Sequence, residues 1–191
     1  MSIEAPSLSG RLLVATPALV DPNFDRTVVL VLDHDHSGAL GVVINRPTPV
    51  PVGDVLPDWS PYVTGEPVLY AGGPVGTDSA LALAELATGT DLLEPPPGFR
   101  PLAGLLGLVD LDAPPEILVD VLQGLRVFAG YAGWGSGQLE DEIADDAWFV
   151  VPSQPGDPFS AEAERLWRAV LRRQGGELAW VSTAPDDPSM N

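Results

Sequence analysis

GYAGWGSGQLEDE, from Gly130 to Glu142, is a glycine-rich and aromatic run set between an apolar segment and an acidic one. Gly130, Gly133, Gly135 and Gly137 reach left-handed backbone angles at low cost, so the run reads as a sharp turn. Tyr131 and Trp134 lie inside it, each with a large apolar body and one polar handle to wedge the turn against a core. Leu125–Ala129 before it reads as a buried strand, and Gln138–Asp145 after it as a short helix. The spacing therefore predicts a strand, a glycine turn and a helix.

That layout also suits a phosphate, because glycine backbones and helix N-termini bind anions. The residues argue otherwise. Glu140, Asp141 and Glu142 fill the first helical turn, where they favour the helix dipole and repel a phosphate. Neither nucleotide-binding glycine pattern is present, and the chain has no lysine. A tight structural turn is the simpler reading.

Outward from this run, the elements take shape. Arg11–Ala15 is a short apolar strand, and Thr27–Leu32 carries no alternation, as expected of a strand buried on both faces. Asp33 to Gly38 joins it to a second strand, Ala39–Ile44, as a hairpin closed by Gly38. The loop contains the two histidines of the chain, His34 and His36, which share a face if extended, with Asp33 and Asp35 on the other. Imidazole beside carboxylate suits a metal ion, but a solvated polar loop explains the same residues. Asn45-Arg46-Pro47 fixes an arginine at a strand end, where it holds a ligand carboxylate or pairs internally with Asp25 or Glu140; the internal pair is the reading favoured.

Thr48–Pro67 is loop-rich, either a mobile flap or a cover for the sheet, with a helical turn at Val52–Leu56. Val68–Ala71 is a strand ended by Gly72-Gly73-Pro74, where backbones approach closely. Glu94–Gly98 is a stiff connector. A helix is expected from Asp112 to Gly124, a strand at Ala147–Val151 with Trp148 in the core, and a helix from Asp157 to Gly175 with Trp167 on its apolar stripe. Leu178–Ser182 is expected to add an edge strand.

Composition sets bounds. A chain of 191 residues with 45% hydrophobic content suits one domain with a sizeable core. Twenty-seven acidic against 9 basic residues give a formal charge of −18, so direct nucleic-acid binding is not expected. With no cysteine, thiolate chemistry and disulfides are excluded. No stretch reads as a leader or a membrane span, and the cytoplasm is the expected location.

The run Gly130–Glu142, with Asn45-Arg46-Pro47, Gly72-Gly73-Pro74 and Gly10-Arg11-Leu12-Leu13-Val14-Ala15, resembles the bacterial YqgE/AlgH family. The similarity spans about Leu8 to Asn191. It implies an α+β cytoplasmic protein, with one branch named for a link to regulation of exopolysaccharide synthesis, and it carries over no catalytic residues. It tips Ser79–Leu86 towards a strand and supports His34 more than His36.

These readings combine into one α+β domain over residues 1–191: a bent, mixed or mainly antiparallel sheet with about three helices, and loosely ordered ends at 1–8 and 184–191. Asn45, Arg46, Gly72, Gly73, Tyr131, Trp134, Gln138 and Glu140 form the candidate surface for a ligand or partner. His34 is the one candidate metal ligand; no metal or cofactor is assigned. Ser136 lacks the frame of a nucleophile elbow. The function favoured is non-enzymatic binding or regulation through a protein or small-molecule partner, away from membranes. The alternative is an acid/base or metal-assisted enzyme using His34, Asp33 and Glu140, and a third reading makes every motif a folding device.

Overall fold

Residues 28–32 contain no polar side chain, and such a strand needs cover on both faces. In the computed structural model of the protein, which describes residues 6–187, it has that cover. Leu30 and Leu32 point into one core with Leu12, Val14, Val42 and the helix residues Trp167 and Val170. Val29 and Val31 point into another with Leu13, Val43, Trp134 and Trp148.

The strands are β1 (Arg11–Ala15), β2 (Val28–Asp35), β3 (Gly38–Val43), β4 (Pro47–Pro51), β5 (Val68–Ala71), β6 (Val75–Leu86), β7 (Phe99–Ala103), β8 (Leu106–Val109), β9 (Leu122–Gly135) and β10 (Trp148–Pro152). Among the described residues, three α-helices accompany them: α1 (Gln138–Ala144), α2 (Leu166–Gln174) and α3 (Gly176–Val181). The sheet runs β10-β1-β2-β3-β9-β6-β8-β7, with β4 and β5 beside this path. All pairs are antiparallel except β5 with β9. The fold is a single α+β domain built on a curled sheet, as the sequence predicts. The curl is visible in Trp134 and Trp148: three strands separate β9 from β10, yet their rings are 6.1 Å apart and nearly perpendicular. In a flat sheet the same four steps of about 4.8 Å would span about 19 Å.

β9 organises this arrangement. One edge pairs with β6 from Leu122 to Tyr131, while the other is shared by β5 at Phe128–Ala129 and β3 at Ala132–Gly135. The outer face of β6 and β9 is covered by a third core, in which Trp59 and Leu118 are buried from two stretches of short 3-10 turns. Residues 48–67 thus cover the sheet and are not a flap: Trp59 also donates its indole N–H to Leu111 O at 3.1 Å.

Several expected elements differ. The glycine run is not a sharp turn, because β9 continues to Gly135 and only Ser136-Gly137 reverse the chain, with Gly137 at φ 75°. Residues 112–121 form 3-10 turns at Pro115–Ile117 and Val119–Val121 instead of one helix. Pro114 and Pro115 supply no N–H there, and ten residues do not repay helix nucleation. The helix expected from Asp157 begins only at Leu166, after 3-10 turns at Asp157–Phe159 and Ala163–Arg165. The carbonyls of Pro158 and Ser160, which an α-helix would offer to residues 162 and 164, are instead taken by Arg126 Nη1. Asp157 is no cap: its carboxylate binds Arg173 at 2.6 and 2.7 Å and accepts Gln154 N–H at 2.7 Å.

Leu178–Ser182 is helix, not edge strand. Gly175 and Gly176 reverse the chain at φ 73° and 54°, and Leu178, Val181 and Ala184, three residues apart, pack on the α2 side. The β7–β8 hairpin and β4 carry no clear alternation, and the sequence pattern misses them. Of the terminal segments, residues 1–5 and 188–191 lie outside those described. Leu8 packs against the core containing Trp134, and Ala184 against the α2 core.

Candidate functional site

The sequence-predicted residues are spread along β3, β5 and β9 and onto α1. Gly72 and Gly73 lie where β3 and β5 meet the same edge of β9. Gly72 N–H donates to Ala129 O and its carbonyl accepts from Val43 N–H, both at 2.8 Å. A Cβ on Gly72 would lie 2.3 Å from Gly130 O, and one on Gly73 would lie 2.2 Å from the Tyr131 carbonyl. These glycines let main chains touch; they are a seam, and Tyr131 sits half-buried beside it, its ring edge against Gly76.

His34 owes its position to a β-bulge. Val31 pairs with Gly41, but Asp33 pairs with Leu40, so the alternation of β2 slips by one residue. The slip turns His34 towards the face of Trp134 and leaves Asp33 on the other, exposed. Buried at 8% exposure, His34 accepts Leu8 N–H at Nδ1, 3.0 Å, and Nε2 lies 2.7 Å from Glu140 Oε1. Since Nδ1 accepts, the ring proton is assigned to Nε2, which donates to Glu140. The Glu140 carboxyl is held below its ordinary value by its own backbone N–H first and by His34 second. His36 stands apart in the exposed hairpin loop, where its carbonyl accepts Ser136 Oγ–H at 2.7 Å.

Glu142, one turn side away, is the hub of the same core. Its Oε2 accepts the indole N–H of both Trp134 and Trp148, each at 2.9 Å, and its Oε1 accepts from Gln138 Nε2 at 3.0 Å. Gln138 Oε1 in turn accepts Gly135 N–H, closing the short turn into α1. Trp134 is 6% exposed and packs between Phe24 and Trp148.

Asn45 and Arg46 are also internal. Buried Asn45 accepts Val28 N–H and donates to Arg26 O, at 2.9 Å each, which holds the turn into β2. Arg46 does not form the expected ion pair with Asp25 or Glu140. It donates instead to the carbonyls of Pro22, Asn23 and Asp25 at 2.8–3.0 Å. Burial pushes its guanidinium below the ordinary value, opposed by the charges of Asp25 and Asp21. The rigid fork of an arginine matches three converging carbonyls, a partner set that the sequence does not announce.

The structure therefore joins His34 to Glu140, and Trp134 to Gln138 through Glu142; Asn45 and Arg46 tie a separate loop. Gln138 and Glu140 are exposed, whereas Asn45 and Trp134 are buried. Among the described residues, no three His, Asp or Glu side chains converge as a metal site would require. Glu142 was legible only as an acid of the first helical turn; its role depends on Trp148, which returns from β10 and has no signal in local spacing.

The AlgH-like family model matches residues 12–179. A UPF0301 protein of Streptomyces coelicolor is 61% identical over 189 residues, covering 98% of this chain and 97% of its own. A crystal structure of a protein from Corynebacterium diphtheriae superposes with a TM-score of 0.87 at 35% identity, over 96% of this chain and 95% of that one. The solution structure of the AlgH protein from Pseudomonas aeruginosa gives a TM-score of 0.66 at 30% identity, over 98% and 100%. With matches of this extent in sequence and fold, the chain belongs to the AlgH-like family.

Proposed function

We propose that this chain is a non-enzymatic binding or regulatory protein of the cytoplasm, acting through a protein or small-molecule partner. The observation that supports it is how His34 and Glu142 are engaged at the buried cluster of imidazole and carboxylates beside α1. His34 has both ring nitrogens bonded, and Glu142 spends one oxygen on two indoles and the other on Gln138. A general base needs a free atom within reach of a substrate proton; both nitrogens of His34 are taken, and Glu142 is committed to three donors inside the core. The partner meets Gln138, Glu140 and the half-buried Tyr131, with Asn45, Arg46, Gly72, Gly73 and Trp134 as the frame beneath.

The test compares the wild type with a Gln138→Ala, Glu140→Ala double variant that keeps the wild-type circular dichroism. Native mass spectrometry reads bound small molecules, and quantitative affinity enrichment reads proteins. Loss of a specific companion in the variant supports the face; an identical set of companions removes it. The enzymatic alternative on His34, Asp33 and Glu140 is the weaker reading, since Asp33 projects from the opposite face of β2.

A further inference from the structure

Arg126 stands in the middle of β9, 2% exposed. A buried cation is ordinarily paired with an anion. Among the described residues, Arg126 has no carboxylate within ion-pair distance. Nη1 donates to the carbonyls of Pro158 and Ser160 at 3.1 and 3.0 Å, and the guanidinium carbon lies over the Tyr70 ring, 4.2 Å from its centroid. Nε is buried without any partner, and Nη2 makes no hydrogen bond among the described residues. The Nε–Nη2 edge is thus left without a partner, and of its two nitrogens Nη2 is the one a ligand oxygen can reach.

That side chain lines a half-open cleft of about 430 Å³, walled by Tyr70, Gly65 and residues 161–165. A Cβ on Gly65 would lie 3.8 Å from Nη2, so the missing side chain leaves Nη2 uncovered. The Tyr70 hydroxyl makes no hydrogen bond among the described residues. Three carboxylates also line the cleft: Glu162 pairs with Arg165 at 3.5 Å, while Glu66 and Glu164 are exposed and in no ion pair among the described residues. A cation at the floor with free acids at the rim disfavours a multiply charged phosphate. It suits a ligand with one carboxylate and a positive group.

We propose that the cleft over Arg126 binds a small zwitterion of the amino-acid class. Its carboxylate meets Nη2 of Arg126 and the Tyr70 hydroxyl, and its positive end meets Glu66 and Glu164. An uncompensated buried guanidinium is costly to keep, and the ligand supplies the missing charge. This cleft lies back along β9 from the α1 face and stands independently of the partner proposed there.

The test is a titration of the full chain at constant ionic strength with L-lysine, with cadaverine, which is lysine without its carboxylate, and with inorganic phosphate. Backbone amide shifts at Gly65, Tyr70, Arg126 and residues 161–165 are the readout. Saturable shifts with L-lysine that cadaverine and phosphate do not reproduce support the site. Arg126→Gln weakens binding by at least about tenfold, the usual worth of a hydrogen bond to a charge, and Tyr70→Phe by severalfold. Equal binding of cadaverine or phosphate overturns the assignment, as does the absence of saturation by about 50 mM, beyond any specific affinity. Should Arg126→Gln not fold, Tyr70→Phe decides alone: unchanged affinity overturns the proposal.

Discussion

His34 Nε2 donates to Glu140 Oε1 across 2.7 Å, while His34 Nδ1 accepts from Leu8, so one imidazole bridges the segment before β1 to helix α1. The bridge has a pH sign. The Glu140 carboxyl is depressed from its ordinary 4.5, so its contribution is present above that value and is lost as pH falls through the folded-state value. Stability is expected to decline below about pH 4.5, and Glu140→Gln to flatten that decline. The effect is small, because the Glu140 side chain is 44% exposed and solvent screens it. Urea midpoints at pH 7, 5, 4 and 3 measure it; coincident slopes for wild type and variant would remove the pair from the acid response.

Glu142→Ala leaves the indoles of Trp134 and Trp148 without an acceptor. Two hydrogen bonds to a charged group, partly open to solvent, give an expected loss of about 2–4 kcal/mol. For a chain of this length that lowers Tm by about 5–10 °C. Glu142→Gln keeps one amide oxygen and should recover at least half of the loss in a calorimetric scan.

Gly72→Ala and Gly137→Ala separate two uses of glycine. At Gly72 the added methyl carbon meets Gly130 O at 2.3 Å, so the seam between β3, β5 and β9 must open. We expect more than about 3 kcal/mol lost, or no soluble protein. At Gly137 nothing lies within 4 Å, and only the left-handed φ of 75° opposes a side chain. The cost there is about 1–2 kcal/mol. Chemical denaturation of both variants checks the order, and a reversed order would contradict the seam.

Asp157 is 5% exposed and held by Arg173 in two bonds. Arg173→Ala leaves that carboxylate buried with only Gln154 N–H, and a loss of about 3 kcal/mol is expected. The double variant with Asp157→Asn should recover part of it, read from the coupling in a double-mutant cycle.

The sheet was legible where one physical demand dominated. Thr27–Leu32 has to be buried on both faces, and it is. Arg11–Ala15 and Val68–Ala71 agree with β1 and β5 as observed. Legibility ended where a distant group decides a local conformation. The late start of α2 depends on Arg126 taking two carbonyls from another element. The direction of His34 depends on a bulge that no spacing rule announces. Of the glycines of 130–137 read for freedom of φ, Gly130 and Gly137 each take φ 75°, whereas Gly72 serves closeness between main chains, and Gly73 and Gly130 serve both; one sequence pattern signals both uses. Arg126 itself interrupts an apolar strand, a local signal that the reading of Leu125–Ala129 as a buried strand passes over.

Trp134 precedes α1 and Trp148 follows it, and both hold Glu142 between them. The chain from the end of β9 to the start of β10 is therefore a loop clasped at its neck without a covalent bond. Each indole closes its own short stretch of chain onto Glu142, and the neck is shut only when both bonds are made; stretches this short cost little chain entropy to close. β10 lies at the far edge of the sheet, with β1, β2 and β3 between it and β9. Through the clasp, the register of the edge strand is tied directly to the central one, along a path that crosses none of the three.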